Sequence, residues 1–104
     1  MSNIEYQAGD LIFEWDSEKA LINKRKHKVS FETAANVFFD ENRIEKLDDD
    51  HSDDEDRWQV LGKVDDILLV IYTDREDRTR IISARKAKSK ERRIYYGNGD
   101  LYFA

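Results

Sequence analysis

The chain of 104 residues has no cysteine and no proline, only four glycines and two histidines. Lacking cysteine, it has no disulfide framework, no zinc–thiolate site and no thiol nucleophile. The same absence fits a reducing, cytoplasmic setting. Two histidines, His27 and His51, cannot close a structural zinc site by themselves. Glycine occurs only at positions 9, 62, 97 and 99, so no flexible linker divides the chain. One domain over residues 11–96 is expected, between a loose extension at 1–10 and a tail at 97–104. No apolar run approaches the ~18 residues of a membrane span. The longest, Ile67 to Tyr72, reads as a buried strand. The first ten residues lack the basic-then-apolar order of a signal peptide. The acidic stretch from Asp48 spaces Asp48, Asp50 and Ser52 like a calcium loop. However, its sixth position is Asp53 rather than glycine and its twelfth is Gln59 rather than glutamate. No metal or cofactor site is therefore expected.

Charge is abundant but segregated. Charged residues make up 39% of the chain, and the 12% of aromatics argues against disorder. Residues 40–56 carry ten acidic side chains against Arg43 and Lys46, whereas residues 75–93 carry nine basic ones against Glu76, Asp77 and Glu91. The net charge of −5 thus hides a basic stretch able to face a polyanion. A pair of solvated, oppositely charged surfaces is the simpler alternative.

Local patterning predicts an α+β fold. Leu11-Ile12-Phe13-Glu14 is a short strand candidate. Asp16 is an N-cap for a helix from Ser17 to Lys26, whose last turn, Lys24 to His27, places cations where the helix dipole favours them. Ser30 caps a second helix, with Phe31, Ala34, Ala35 and Phe38 forming an apolar face. Strands are expected over 43–48, 56–64, 67–73 and 79–84, with turns at 64–67 and 74–77. Trp15 and Trp58 read as core. Residues 85–96 suit a third, basic helix. The sum is two N-terminal helices packed on an antiparallel sheet of about four strands, plus a C-terminal helix.

The same elements carry a resemblance. Phe13-Glu14-Trp15-Asp16, Lys19, Asn23, Lys26-His27, Ser30-Phe31, Ala34-Ala35 and Val37-Phe38 follow one another as in the BrnT toxins. Asp50-His51-Ser52, Glu55, Arg57, Gly62, Tyr72-Thr73, Arg80-Ile81-Ile82-Ser83-Ala84-Arg85, Glu91-Arg92 and Tyr95 continue the match. The resemblance implies a small RelE-like endoribonuclease toxin of a type II toxin–antitoxin pair, acting in the cytoplasm to inhibit translation. It also implies a BrnA-like antitoxin partner with a ribbon-helix-helix domain, through which alone the complex would contact operator DNA. Lys28 stands where many relatives have glycine, so the first helix is expected to close differently.

Cleaving RNA without a metal requires a base for the 2′-hydroxyl, cations for the phosphorane and an acid for the leaving oxygen. The catalytic candidates are Arg80, Arg85, Glu55, Lys26, His27 and His51. Arg78 and Arg80 alternate on one strand face and suit a phosphate clamp. Arg85, if the strand extends that far, falls on the opposite side. His27 is a candidate acid or base, although Asn23 and His27 are also spaced to form a local pair. His51 is flanked by carboxylates that favour its protonated form, which suits either a general acid or loop ordering. Glu55 is the carboxylate base candidate, or else an ion-pair partner of Arg78 or Arg80. Arg57, Tyr72, Arg78 and Arg92 are the RNA-binding candidates, with Tyr72 placed to stack on a base. Arg92, Arg93, Ile94, Tyr95 and Tyr96 are the expected antitoxin contacts. Two other functions fit the residues: a non-catalytic corepressor that binds a partner, and an RNA-binding module without cleavage.

Overall fold

The computed structural model describes residues 2–48 and 55–97. Their order is β1 (Asn3–Ala8), β2 (Leu11–Asp16), α1 (Ser17–His27), α2 (Phe31–Ala35) and a 3₁₀ turn (Asn36–Phe39). Then follow β3 (Ile44–Leu47), β4 (Trp58–Val64), β5 (Asp66–Arg75), β6 (Arg78–Lys86) and α3 (Ser89–Gly97). The six strands form one sheet ordered β1-β2-β6-β5-β4-β3. Neighbours are antiparallel except β2 and β6, which run parallel. The sheet is therefore mixed and larger than the four antiparallel strands expected, and a β-hairpin precedes the two helices.

That hairpin corrects the reading of residues 1–10 as loose. Ile4, Tyr6 and Ala8 alternate toward the main core, and Gly9 turns the chain at φ 57°. A period-two pattern ending at a left-handed glycine gives a strand and a turn. Residues 98–104, most of the expected tail, lie outside the described residues.

Both helix starts form as their capping residues dictate. Asp16 Oδ2 accepts from the Lys19 amide at 3.0 Å, and Ser30 Oγ from the Thr33 amide at 3.1 Å. Phe31, Ala34 and Ala35 are fully buried, after which the chain tightens into the 3₁₀ turn with Val37 inward. That turn lies close on β4 because Gly62 has no side chain. A Cβ there would stand 2.7 Å from Val37 Cβ. The helices cover one face of the sheet over Phe13, Trp15, Val60, Leu68, Val70, Tyr72, Ile81 and Ala84.

The opposite face is half covered. Leu61, Ile67 and Leu69 form a second cluster closed by Ile94 and Tyr95 of α3. This helix begins at Ser89 rather than Arg85, because β6 stays paired with β5 as far as Lys86 opposite Leu68. Glu91 Oε1 accepts the Lys88 amide at 2.7 Å, a capping-box contact that sets the helix start. The Tyr95 hydroxyl donates to Asp40, fastening the far end of the helix.

Two details of β6 shape everything beyond it. Its register steps from Ile71 opposite Ser83 to Tyr72 opposite Ile81, leaving Ile82 as the extra residue of a β-bulge. Its pairing with β2 also ends at Arg80, since β2 turns into α1. Beyond that point the buried Asn23 carboxamide stands in for a strand. Asn23 donates to Ala84 O at 2.9 Å and Val29 O at 3.0 Å, and accepts from the Ala84 amide at 3.2 Å.

Lys28 ends α1 in the left-handed conformation, φ 62° and ψ 26°, with its amide bonded to Lys24 O at 2.9 Å. The helix thus closes in the geometry that glycine favours, carried here by a side chain that strains it. Lys28→Gly should raise stability by about 0.5–1 kcal/mol, less the contact of Lys28 Nζ with Arg25 O. The check is the urea midpoint at unchanged m-value, and an unaltered or lowered midpoint contradicts it.

Candidate active site

The open half of the second sheet face carries the charged residues. Along β5, Leu69 and Ile71 belong to the α3 cluster, so Thr73 and Arg75 continue the same face by alternation. Arg78 and Arg80 of β6 pair with Arg75 and Thr73 and join them. Without the bulge, Arg85 would face the other way, as the sequence reading has it. With Ile82 inserted, Arg85 pairs with Leu69 and returns to the face of Arg80. One extra residue reverses the expectation.

Each of these cations is engaged within the chain. Arg80 donates to Glu14 Oε2 and Asn3 Oδ1, both at 2.8 Å. Arg78 donates to Glu5 Oε2 at 2.6 Å and lies 3.6 Å from Glu14 Oε1. Glu14 is 8% exposed, and its carboxylate is tolerated there because two guanidinium groups face it. Arg85 holds Glu91 with a two-pronged contact, both bonds 2.8 Å. Burial alone would raise the Glu91 pKa. The Arg85 fork and the Lys88 amide outweigh it and hold the group below the ordinary 4.5. Glu55 pairs with Arg75 at 2.7 Å, not with Arg78 or Arg80, and that bond holds its carboxyl low.

Three recesses follow from this layout. One, rimmed by Glu14, Glu55, Arg75 and Arg78, lies at the β5–β6 turn. The second, about 260 Å³, is lined by Arg57, Gln59, Leu69, Ile71, Ser83 and Arg85. The third, about 240 Å³, is lined by Lys26 and His27 of α1 with Ile82 and Ser83 of β6. The second and third share Ile82 and Ser83. Lys26, His27, Arg57 and Arg85 therefore flank one stretch of β6. Asn23, expected as a partner for His27, instead holds β6 beneath it.

Other expected residues stand elsewhere. Tyr72 is 5% exposed, edge-on to Phe38 at 4.9 Å, with its hydroxyl on Glu45 Oε1 at 2.7 Å. Its ring has no free face for a base. Burial and that carboxylate also raise its pKa far above the ordinary phenol value. Ile94 and Tyr95 are spent on the second cluster, and Arg92 holds Asp66 at 2.7 Å. Tyr96, 61% exposed, and the exposed Arg93 remain on the surface of α3. His51 lies outside the described residues. Among the described residues, no group of three or more His, Asp or Glu side chains is placed to hold a metal ion.

The sequence reading missed Glu14, Asn23 and Arg75. The signal for Glu14 was present: a carboxylate between Phe13 and Trp15, both core residues, must point to the other face and needs a partner there.

Comparison with known proteins places this arrangement. The family model for the ribonuclease toxin BrnT of the type II toxin–antitoxin system matches residues 15–91. The chain belongs to the BrnT family. Its fold is similar to that in the 1.1 Å crystal structure of the Brucella abortus ribonuclease toxin BrnT. The TM-score is 0.54 at 23% identity, over 72% of this chain and 94% of that one. No curated protein matches the chain significantly. The BrnT match spans α1, the bulged β6 and the Arg85–Glu91 pair, while β1 falls outside it. Among the described residues, no helix is long and apolar enough to cross a membrane.

The Glu91 contact predicts acid sensitivity. A carboxyl held low in the folded state contributes stability above its unfolded pKa and loses it as pH falls. Stability should therefore be full above about pH 4.5 and decline below it. Glu91→Gln should lower stability at neutral pH and flatten that decline. Urea midpoints across the acid range test this, and equal slopes for the two proteins contradict it.

Proposed function

We propose that this chain is a metal-independent, RelE-like endoribonuclease that cleaves RNA in the cytoplasm and thereby inhibits translation. The observation that carries the reading is the meeting of two recesses at Ile82 and Ser83. A phosphate over Ser83 lies within reach of Arg57 and Arg85 on one side and of Lys26 and His27 on the other. Arginine suits the equatorial phosphorane oxygens, while an imidazole such as that of His27 can take up and give back a proton. His27 is assigned as acid–base group and Lys26 as the charge beside it. Arg80 and Arg78 hold the flanking backbone phosphate, and Glu55, at the rim of the neighbouring recess, is too engaged with Arg75 to lead as base. The engagement of Arg75, Arg78, Arg80 and Arg85 with internal carboxylates favours one rival, an RNA-binding or corepressor module that does not cleave. Cleavage products decide between them.

Purified, antitoxin-free protein should degrade RNA in excess EDTA. Loss of activity that magnesium restores overturns the metal-independent route. Lys26→Ala/His27→Ala should slow cleavage about a hundredfold or more at an unchanged melting temperature. A folded variant that cleaves at the wild-type rate removes these residues from the site.

The partner consistent with this reading is a BrnA-like antitoxin whose ribbon-helix-helix domain supplies all contact with operator DNA. Its inhibitory segment would be acidic and cover α3, with Arg92, Arg93 and Tyr96 outward. Ile94 and Tyr95 contribute by holding the helix in place. Charge pairing of this kind governs association rate more than final affinity. Association should accordingly slow steeply with salt, and Arg92→Glu/Arg93→Glu should slow it further at low salt. If neither changes the on-rate, the partner docks elsewhere.

A further inference from the structure

The strand β1 lies outside the residues that match the BrnT family and forms the outer edge of the sheet beside β2. Its inward residues, Ile4, Tyr6 and Ala8, extend the core. Its outward residues do something else. The register sets Glu5 opposite Glu14 and Asn3 opposite Asp16, on the face where Arg78 and Arg80 emerge. Glu5 Oε2 takes Arg78 at 2.6 Å and Asn3 Oδ1 takes Arg80 at 2.8 Å.

Glu14 alone can hold the fold of this corner. It is buried, lies on β2 and reaches both guanidinium groups. Glu5 is different, because its side chain is 56% exposed and it meets Arg78 at the solvent margin. An exposed pair of this kind contributes little to stability. For a phosphate the same carboxylate matters more, since it occupies the donors that a phosphate oxygen would use and repels the incoming charge.

We propose that β1 is a built-in competitor for the RNA backbone, with Glu5 and Asn3 determining how strongly Arg78 and Arg80 bind phosphate. The proposal rests on the reading of this face as the RNA site, but concerns binding and not cleavage. A phosphate entering the corner takes Arg78 from Glu5 and Arg80 from Asn3. Glu14 stays in place beneath them. The site consequently favours polyanions, whose neighbouring phosphates held at Arg57 and Arg85 compensate for the exchange, over an isolated phosphate.

The test uses the full chain and a short all-2′-deoxy single strand, which cannot be cleaved through a 2′-hydroxyl. Glu5→Gln/Asn3→Ala should bind it about two- to fivefold more tightly, the upper part of the range of one surface ion pair. The slope of log affinity against log salt should steepen by about one released counterion. The KM for RNA should fall by a similar factor. Glu41→Gln, which removes an exposed charge from the turn before β3, should change affinity much less. Unchanged or weaker binding by the β1 variant overturns the proposal. So does an equal gain in Glu41→Gln, which would make the effect one of net charge. Melting curves of both variants should overlay the wild type, and if β1 side chains prove essential to folding, Glu5→Gln alone is read. A chain that gains affinity as described yet never cleaves RNA supports the competitor while refuting the ribonuclease reading.

Discussion

The face that gathers the arginines depends on one additional residue in β6. A regular strand would send Arg80 and Arg85 to opposite sides of the sheet, one among solvent-facing groups and one into the helix-covered core. The bulge at Ile82 removes that conflict. Ile81 and Ala84 both pack beneath the helices, three residues apart, while Arg80 and Arg85 both face outward. A bulge weakens the ladder locally, and here the weak point is braced by Asn23, whose carboxamide matches both backbone groups of Ala84. The brace also anchors the helix that carries Lys26 and His27. Strand irregularity, helix placement and the meeting of the two recesses are thus one local solution.

The electrostatics of the face are largely internally compensated. A fold that is acidic overall must keep several arginines together on one surface, and it does so by supplying each corner with a carboxylate. These carboxylates differ in depth. Glu14 and Glu91 are well shielded and tie secondary-structure elements together, whereas Glu5 and Glu55 lie toward solvent. Depth decides their character. Removing a partner from a shielded group strands a charge, and removing one at the margin mainly changes how the surface meets other ions.

Much of this was legible in the sequence. Capping residues Asp16 and Ser30 marked both helix starts because a side-chain acceptor at that position satisfies an otherwise orphaned amide. The apolar stretch through Val70 marked a strand buried on both faces, and Trp15 marked the core. What escaped were features set by partners distant in sequence. The pairing of β2 with β6 cannot be read from either strand alone, and β1 was missed because its alternation of Ile4, Tyr6 and Ala8 is short and set among polar residues. Tyr72, Ile94 and Tyr95 were assigned to binding because aromatic and apolar side chains on polar segments look available. In the fold they close two cores. The bulge has no local signature at all, since Ile82 resembles its neighbours, and it turned Arg85 to the same face as Arg80.

The parallel pairing of β2 with β6 also orders events in time. Asn3 and Glu14 meet Arg80 across 77 and 66 residues, so the N-terminal hairpin can dock only after β6 has been made. Contacts of such long range are slow to form because a large loop must close before they contribute. During synthesis the earlier segments can collapse on one another, but the face that gathers the arginines is assembled only once β6 has been made. A nascent chain therefore presents no such surface until β6 has emerged.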